Sequence, residues 1–357
     1  MKIFLNVVIT LALLYWPLLL MFSPMAFDAP GSENSRRAVF GVVAFLSYPV
    51  LIFLLLGLFG GQYFGFNGFP MALVAAVVVS CVLTLFGFTG MVKNALMGIP
   101  NSGYALVRDQ AYYNAKPIKG ADLATFKPVK REDFGHAYEA QLYALDNAHL
   151  YYSGEPVADV SVQQLQGRIV GTTLYWFTDH QVITDGKVIE GANPASFDCF
   201  EEHSSWCFSK TDGKGTVFYH KTPIPQADFA SFTPLTETLA KDKNAIYWLD
   251  TQLQTDADPA TFELLADDSF ARDKQHVYFR SAEQMVRLDK AEPDSFELLD
   301  RQYCKGSGVI YYAGNYEIRE LEGADFDTFE VTDYDEKTQS DARDAKHFYM
   351  RGELVTQ

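Results

Sequence analysis

From Ile3 to Phe22 the chain is uncharged and almost wholly apolar. A run of about 20 such residues spans ~30 Å as a helix, the thickness of a bilayer's hydrocarbon. A polar loop follows from Phe27 to Arg37, with Pro30 and Gly31 in it. From Ala38 to Val92 there is no Asp, Glu, Lys or Arg. That run is too long for one span, and Gly60-Gly61-Gln62 with Asn67-Gly68 divide it, which predicts helices near 38–59 and 70–92. Pro49 is placed to kink the first of these, a kink that lipid-embedded helices tolerate. Tyr63, Phe64 and Phe66 belong at the membrane interface. No Asp, Glu, Lys, Arg or His interrupts any span, which argues against a proton relay, an ion pathway or a transporter core. Residues 1–93 therefore read as an α-helical transmembrane anchor of three helices, near 3–22, 38–59 and 70–92, with the lipid bilayer as partner through residues 3–92. A cleaved signal peptide is the competing reading of the first helix. The apolar stretch is long for that, and Ser23-Pro24-Met25-Ala26 is a poor cleavage site.

Beyond a short linker, residues 94–102, long apolar runs give way to brief alternations. The stretch Ala240–Leu265 shows one period of them. Asp242-Lys243-Asn244 reads as a tight polar turn, because Asp and Asn bond their own backbone and tolerate left-handed φ. Ile246-Tyr247-Trp248 reads as a strand of β-branched and aromatic residues. Asp258-Pro259-Ala260-Thr261-Phe262 reads as a single helical turn, with Asp258 as N-cap, Pro259 at the first helical position and Phe262 turned to the core.

Both landmarks recur. Bulky pairs stand at Tyr112-Tyr113, Tyr151-Tyr152, Val182-Ile183, Phe218-Tyr219, Tyr247-Trp248, Tyr278-Phe279, Tyr311-Tyr312 and Phe348-Tyr349, and the second member advances by 39, 31, 36, 29, 31, 33 and 37 residues. Capped turns end at Phe126, Phe197, Phe232, Phe262, Phe296 and Phe329, the last five spaced by 35, 30, 34 and 33. Two landmarks with one period near 33 predict a mainly β domain over residues 103–355. It holds about eight hairpin units with one-turn helices, each burying its core against its neighbours. The structural positions of the repeat are Asp242, Asn244, Tyr247, Trp248, Asp258, Phe262, Asp273, Tyr278, Phe296, Tyr311, Tyr312 and Phe329. The second unit, residues 143–170, lacks the capped turn, and the eighth stops after its hairpin as a terminal cap. An open superhelix is the expected arrangement. A propeller is the alternative, although its blades need four strands and ~40 or more residues.

The segments Ala240-Lys241-Asp242-Lys243-Asn244-Ala245-Ile246-Tyr247-Trp248 and Ala271-Arg272-Asp273-Lys274-Gln275-His276-Val277-Tyr278-Phe279, with the Ala-Asp-x-x-Thr-Phe-like turns, resemble the DKNYY family of bacterial repeat proteins. The resemblance implies a repeat domain, often attached to the cell envelope, and brings no catalytic residues with it. Arg108-Asp109-Gln110, Asp146-Asn147, Thr178-Asp179, Lys210-Thr211-Asp212 and Lys305-Gly306 depart from the Asp-Lys-Asn turn, so no uniform ligand-binding turn is expected.

Charge separates the two parts of the chain. Residues 1–99 hold four basic residues (Lys2, Arg36, Arg37, Lys93) and two acidic ones (Asp28, Glu33), a net of +2; taken from the whole-chain −16, this leaves −18 on residues 100–357. Such a domain repels phosphate backbones, which excludes nucleic acid as a partner, and it is repelled by anionic headgroups. The charge rule for topology is divided. Lys2 and the α-amine favour an inside N-terminus, and three spans then carry the repeats outside; Lys93 pulls the other way, and Arg36-Arg37 cannot share a side with Lys2 if the first span crosses. The reading taken is a multi-pass protein of the bacterial inner membrane with an extracytoplasmic repeat domain, the cytoplasmic orientation being the alternative.

Candidate chemistry is sparse. Cys199 and Cys207 flank a seven-residue loop and form a candidate disulfide if the domain lies in an oxidising compartment. The alternative is two buried thiols. A zinc site of Cys199, His203 and Cys207 lacks a fourth ligand. Cys81 lies in a span, and Cys304 reads as a small core residue. His149, His180 and His276 share a position two before the strand pair, as exposed turn residues or as a ladder. Carboxylates in the turns have capping work to do and lack the DxDxDG spacing of calcium loops. Glu201-Glu202 and Asp267-Asp268 read as solvated loops. GxSxG, HExxH, GxGxxG and P-loop motifs are absent from the sequence. No cofactor or metal is expected, and no enzymatic activity. The expected function is an interaction or scaffold module facing another envelope protein or a glycan, with no expectation for oligomeric state. The alternatives are an envelope hydrolase or sensor with a site between repeats, and a membrane component that the repeats regulate.

Overall fold

The structure, a computed structural model, describes residues 2–265, 269–281, 284–314 and 317–355. It forms two compact bodies. One comprises Met1–Arg168 with Asp185–Lys187, the other Ile169–Thr184 with Val188–Gln357.

The first body begins with five helices: α1 (Lys2–Phe22), α2 (Arg36–Leu46), α3 (Tyr48–Leu58), α4 (Gly68–Leu85) and α5 (Phe88–Met97). Two helices are long and apolar enough to cross a membrane, or three if the bent pair α2–α3 counts as one span. The stretch expected as one helix over 38–59 is thus two, bent by 55° around Ser47. Pro49, in the first turn of α3, lacks the N–H that would continue the ladder; the Val50 N–H turns to the Ser47 carbonyl, and the Trp16 indole donates to the Leu46 carbonyl thus left over, at 2.6 Å. The stretch expected as one helix over 70–92 is also interrupted. Gly87, at φ +82°, ends α4 and starts α5. Helices α3 and α4 meet at Gly57 and Gly68, where a Cβ on Gly68 would stand 2.1 Å from the Gly57 backbone, so nothing larger than glycine fits. The turn at 62–67 is a two-stranded hairpin whose Tyr63 hydroxyl lies 2.9 Å from Thr10 Oγ1.

The linker is pinned rather than free. The Ser102 N–H donates to Asn34 Oδ1 at 2.9 Å, and the Asn101 amide donates to the Glu33 carbonyl at 2.8 Å. The loop after α1 and the exit from α5 therefore lie at one end of the bundle.

The remainder is mainly β: one three-stranded sheet over 104–117 and seven four-stranded antiparallel meanders over 127–156, 166–188, 198–224, 233–252, 263–287, 297–320 and 330–354. They are called sheets 1 to 8 below. Among the described residues no sheet closes on itself. Sheet 5 shows the plan: two-residue edge strands (Thr233–Pro234, Thr251–Gln252) flank an inner hairpin of Leu239–Lys241 and Ile246–Trp248. Consecutive sheets within a body share apolar clusters. Trp206, Val217 and Ile224 of sheet 4 pack with Phe232, Ala240 and Tyr247 leading into and within sheet 5, and Tyr303, Ile310 and Tyr312 of sheet 7 pack with Phe329, Ala342 and Tyr349 around sheet 8. The capped-turn phenylalanine bridges each junction with tilted or edge-on ring contacts: Phe329 sits 5.5 Å from both Tyr303 and Tyr349.

Pairing register corrects two units by one residue. Cross-strand partners Ala240↔Tyr247 correspond to Trp176↔Ile183 and Ala342↔Tyr349. The bulky pair is therefore Ile183-Thr184 in sheet 3 and Tyr349-Met350 in sheet 8. The aromatic signal slipped there because the second position holds Thr and Met.

Candidate functional site

The Asp-Lys-Asn turn is not a solvated reversal. Asp242 is 2 % exposed, and its carboxylate accepts four hydrogen bonds. Oδ1 takes the N–H groups of Asn244 (2.6 Å) and Ala245 (2.9 Å); Oδ2 takes the Tyr247 hydroxyl (2.8 Å) and the N–H of Asp228, the cap residue of the preceding helical turn (2.6 Å). Left-handed φ in this unit falls at Leu249, φ +54°, in the second turn of the meander. Asn244 is exposed and contributes its backbone.

The same node recurs at Asp146, Asp273 and Asp344. Tyr151, Tyr278 and Tyr349 donate to them at 2.8, 3.1 and 2.8 Å, and the N–H groups of Asp122, Asp258 and Asp325 each donate at 2.9 Å. Burial alone would raise these three carboxylates, but the ring of donors more than offsets it and holds them below the usual range. Burial, followed by the adjoining carboxylate, pushes the partner tyrosines up.

A second strand of contacts runs back. The Thr or Ser of each capped turn accepts the N–H that follows the buried Asp: Thr125 from Asn147 (3.0 Å), Ser231 from Lys243 (3.1 Å), Thr261 from Lys274 (3.3 Å) and Thr328 from Ala345 (3.0 Å). The turn lysines reach the cap aspartates, Lys243 to Asp228 at 2.6 Å and Lys274 to Asp258 at 3.1 Å. Those carboxylates also cap their own turns, Asp258 accepting from Ala260 N–H at 3.1 Å. The two sequence landmarks are thus the halves of one latch, and each capped turn fastens to the hairpin after it.

Sheets 3, 4 and 7 replace the latch. Thr178 stands for the buried Asp in sheet 3, and Ile183, the cross-strand partner of Trp176, stands for the tyrosine. In sheet 4 Ser209 accepts the cap residue's N–H, from Asn193 at 3.2 Å, and Phe218 stands for the tyrosine. Sheet 7 keeps Tyr311 but has Gly306 in place of Asp, and Ser307 takes the cap N–H of Glu292 at 3.1 Å. The Tyr311 hydroxyl is buried with no hydrogen-bond partner, and burial pushes its pKa up to about 12.

Histidines flank three nodes. His149, His276 and His347 place Nδ1 at 3.4, 3.9 and 3.5 Å from the buried Asp oxygens. His347, not His180, completes this set; His180 follows Thr178 by two residues, and Gln181 holds the corresponding position. Sequence spacing alone carries the signal that finds all four nodes: an Asp five residues before a Tyr.

A second junction motif uses tyrosine pairs. Tyr104↔Tyr113, Tyr143↔Tyr152 and Tyr303↔Tyr312 face each other across their hairpins. The first hydroxyl of each pair accepts the N–H of a glycine in the next sheet: Gly154 (2.8 Å), Gly186 (3.3 Å) and Gly352 (2.8 Å). The second ring lies where that glycine's Cβ would be, at 2.8, 2.6 and 2.5 Å. Sheet 8 ends this series. Asp341 precedes Ala342 as Tyr303 precedes Cys304, and it accepts the Tyr303 hydroxyl at 2.6 Å.

The remaining expected positions serve packing. Phe262 is 1 % exposed, Phe296 packs 5.5 Å from Phe270, and Trp248 is half-buried beneath the Arg280 guanidinium, 4.8 Å away. Cys199 and Cys207 are direct cross-strand partners with sulfurs 2.01 Å apart and Tyr175 beside them. Cys304 is buried, which pushes its thiol up, and Cys81 is exposed on α4. Asp267 and Asp268 lie outside the described residues. Among the described residues no group of three or more His, Cys, Asp or Glu is arranged to hold a metal ion.

One cleft of about 830 Å³ opens beside sheets 7 and 8, lined by residues that include Ile318, Tyr334, Met350, Arg351, Leu354 and Val355. Inner and outermost strands of both sheets line it, and the long first hairpin of sheet 8, Glu330–Asp335 with Ser340–Arg343, supplies Tyr334.

The DKNYY family matches the chain twice, over residues 104–281 and 208–353, together well over half its length. This chain belongs to the DKNYY family. No curated protein and no solved structure matches it. The latch gives the DKNYY signature a physical meaning: Asp is the buried acceptor, Lys the partner of the cap carboxylate, and the first Tyr the hydroxyl donor.

Proposed function

We propose that the protein is a membrane-anchored interaction module of the bacterial cell envelope. Residues 1–93 hold it in the inner membrane as three spans, residues 94–102 join the two parts, and residues 103–355 present an open superhelix of repeats to another envelope protein. The observation that carries this reading is the saturation of the four buried latch carboxylates, Asp146, Asp242, Asp273 and Asp344. Each of the four buried latch carboxylates accepts bonds from four donors, which leaves none poised for acid–base or metal chemistry. What remains available is the exterior, strongly acidic and edged with short strands, and extended repeat surfaces suit protein recognition.

An extracytoplasmic repeat domain is supported by the Cys199–Cys207 pair, whose bonding needs an oxidising compartment. A second orientation has its own support. Arg36, Arg37 and Lys93 lie toward the end of the bundle that leads into the repeats, against Lys2 and the α-amine at the other, and the positive-inside rule then draws the repeat end inward. Reporters fused after Gln357 decide between them. Alkaline phosphatase activity, with a thiol-alkylation pattern showing both cysteines blocked, is the expected result. Activity of a cytoplasmic reporter alone, with Cys199 and Cys207 free, would sink the extracytoplasmic reading. For the interaction itself, a photo-reactive residue scanned across the exposed strand edges in cells should give discrete, reproducible adducts; a scan without adducts at any edge overturns the module reading.

A further inference from the structure

The hairpin registers leave backbone groups pointing into the cleft beside sheets 7 and 8. In the last meander Met350↔Glu353 closes a two-residue turn, and the Val355 N–H bonds to the Phe348 carbonyl at 2.8 Å. Alternation then turns the N–H and C=O of Leu354 outward, away from the sheet. In sheet 7 Gly314 pairs with Glu317 and the Leu321 N–H bonds to the Ile310 carbonyl at 2.8 Å, so Ile318 is turned outward in the same way. Both residues line the cleft, and both belong to the outermost strands of their sheets, Glu317–Glu320 and Glu353–Leu354. Two strand edges that pair with no further strand among the described residues share one concavity.

The walls suit side chains on an extended backbone. Ile318, Met350, Leu354 and Val355 supply apolar surface, and Leu354 is 52 % exposed. Tyr334, 56 % exposed, stands on the hairpin that is longer in sheet 8 than in its neighbours. Arg319 is already engaged, stacked on Tyr312 and bonded to Glu353 and to the Arg351 carbonyl, which fixes the rim. Glu317 and Glu353 in the cleft are matched by Arg319 and Arg351, so the selection against anionic partners comes from the −18 carried by residues 100–357.

We propose that this cleft binds an extended, lysine- or arginine-bearing peptide segment of a partner protein, which pairs with the free edge at Leu354 and adds a strand to sheet 8. Apolar side chains of the segment alternate into the Ile318–Met350–Leu354 surface while its cations are drawn by the net negative charge of the repeat domain. This rests on the interaction-module reading and names its site and the chemistry of its partner.

The test uses the full chain in nanodiscs and a fluorescent short peptide of alternating lysine and valine. Anisotropy should report binding, with an affinity lowered by about tenfold or more when alternate backbone nitrogens of the peptide are methylated. Leu354→Pro removes the outward N–H without breaking a ladder bond, and should weaken binding by a similar factor with an unchanged melting curve. If that variant does not fold, the methylated peptide still decides. A glutamate–valine peptide should not bind. Equal affinity for the methylated peptide, unchanged affinity of Leu354→Pro, or no binding at about 1 mM peptide overturns the proposal. So does displacement of the lysine–valine peptide by a neutral oligosaccharide, or concentration-dependent self-association that Leu354→Pro abolishes. In each case photo-adducts at other strand edges would leave the interaction module standing without this site.

Discussion

The Tyr311 hydroxyl and the Gly306 backbone occupy the two halves of a latch whose carboxylate is missing. In sheets 2, 5, 6 and 8 the tyrosine at this position donates to a buried Asp five residues earlier; in sheet 7 it donates to nothing among the described residues. A buried hydroxyl without a partner has lost its water and gained no replacement, so removing it should cost little. Tyr311→Phe is expected to leave stability unchanged or to raise it by up to about 1 kcal/mol. Chemical denaturation of the intact repeat domain measures this, and a clear destabilisation would show that the hydroxyl has a partner.

The contrasting pair is Tyr247 and Asp242. Tyr247→Phe strips one hydrogen bond from a carboxylate and should cost about 1–2 kcal/mol. Asp242→Ala leaves three backbone N–H groups and a hydroxyl unsatisfied in the core, and should cost roughly 3–4 kcal/mol, with early loss of protection in exchange at Asp228 N–H. If both substitutions cost the same few tenths, the latch does not hold the sheets together.

Acid should loosen the latches. Asp146, Asp273 and Asp344 have native pKa values below those of the unfolded chain, so the unfolded state binds more protons. Their stabilisation is fully present above the ordinary carboxylate range, near pH 4, and is lost as pH falls from there through the native values. Melting temperature should therefore be flat between about pH 5 and 7 as far as these groups are concerned, and should fall steeply below about pH 4. An Asp273→Asn variant should show a shallower acid slope than the parent; an identical slope would remove Asp273 from the account.

The glycine clamps predict a steric contrast. Gly120 and Gly352 both have positive φ, at +78° and +70°, but only Gly352 has a neighbour, the Tyr312 side chain at 2.5 Å from the position of a Cβ. Gly120→Ala should cost about 1 kcal/mol from backbone strain alone. Gly352→Ala adds the clash and should cost about 1–3 kcal/mol more. Equal costs in thermal melts would mean that Tyr312 moves aside freely.

The period near 33 and the inner hairpin were legible because aromatic pairs and Ala-Asp-x-x-Thr-Phe turns recur at nearly fixed spacing; the two-residue edge strands that make most units four-stranded meanders rather than hairpins were too short to leave a pattern. The role of Asp242 was not. Asp in a polar turn reads as solvated, and the donors that bury it include Asp228, in a segment upstream that local pattern does not connect to it. The one-residue slips at Val182 and Phe348 have a simpler origin, since Thr184 and Met350 break the aromatic pair. In the helical part, Pro49 marks the break at Ser47 in the sequence, whereas the uniform hydrophobicity of 70–92 conceals the one at Gly87. The cleft was illegible for the same reason as the latch, because Ile318, Tyr334 and Leu354 come together only when two sheets pack.

Asp341 has a consequence for how such chains change in length. Every earlier sheet presents a large apolar or aromatic residue at this position, among them Tyr104, Trp206 and Tyr303, and each is met by the sheet after it. At Asp341 a carboxylate, bonded by the Tyr303 hydroxyl and the Arg351 N–H, stands where the earlier junctions bury a large side chain, so this position does not suit a junction of that kind. Because each capped turn fastens to the following hairpin, a segment cut from one cap to the next is a self-consistent cassette. Duplicating or deleting such a cassette upstream of Asp341 restores every junction, whereas adding one beyond it does not. Families built this way should vary in the number of internal repeats while keeping the last one in place.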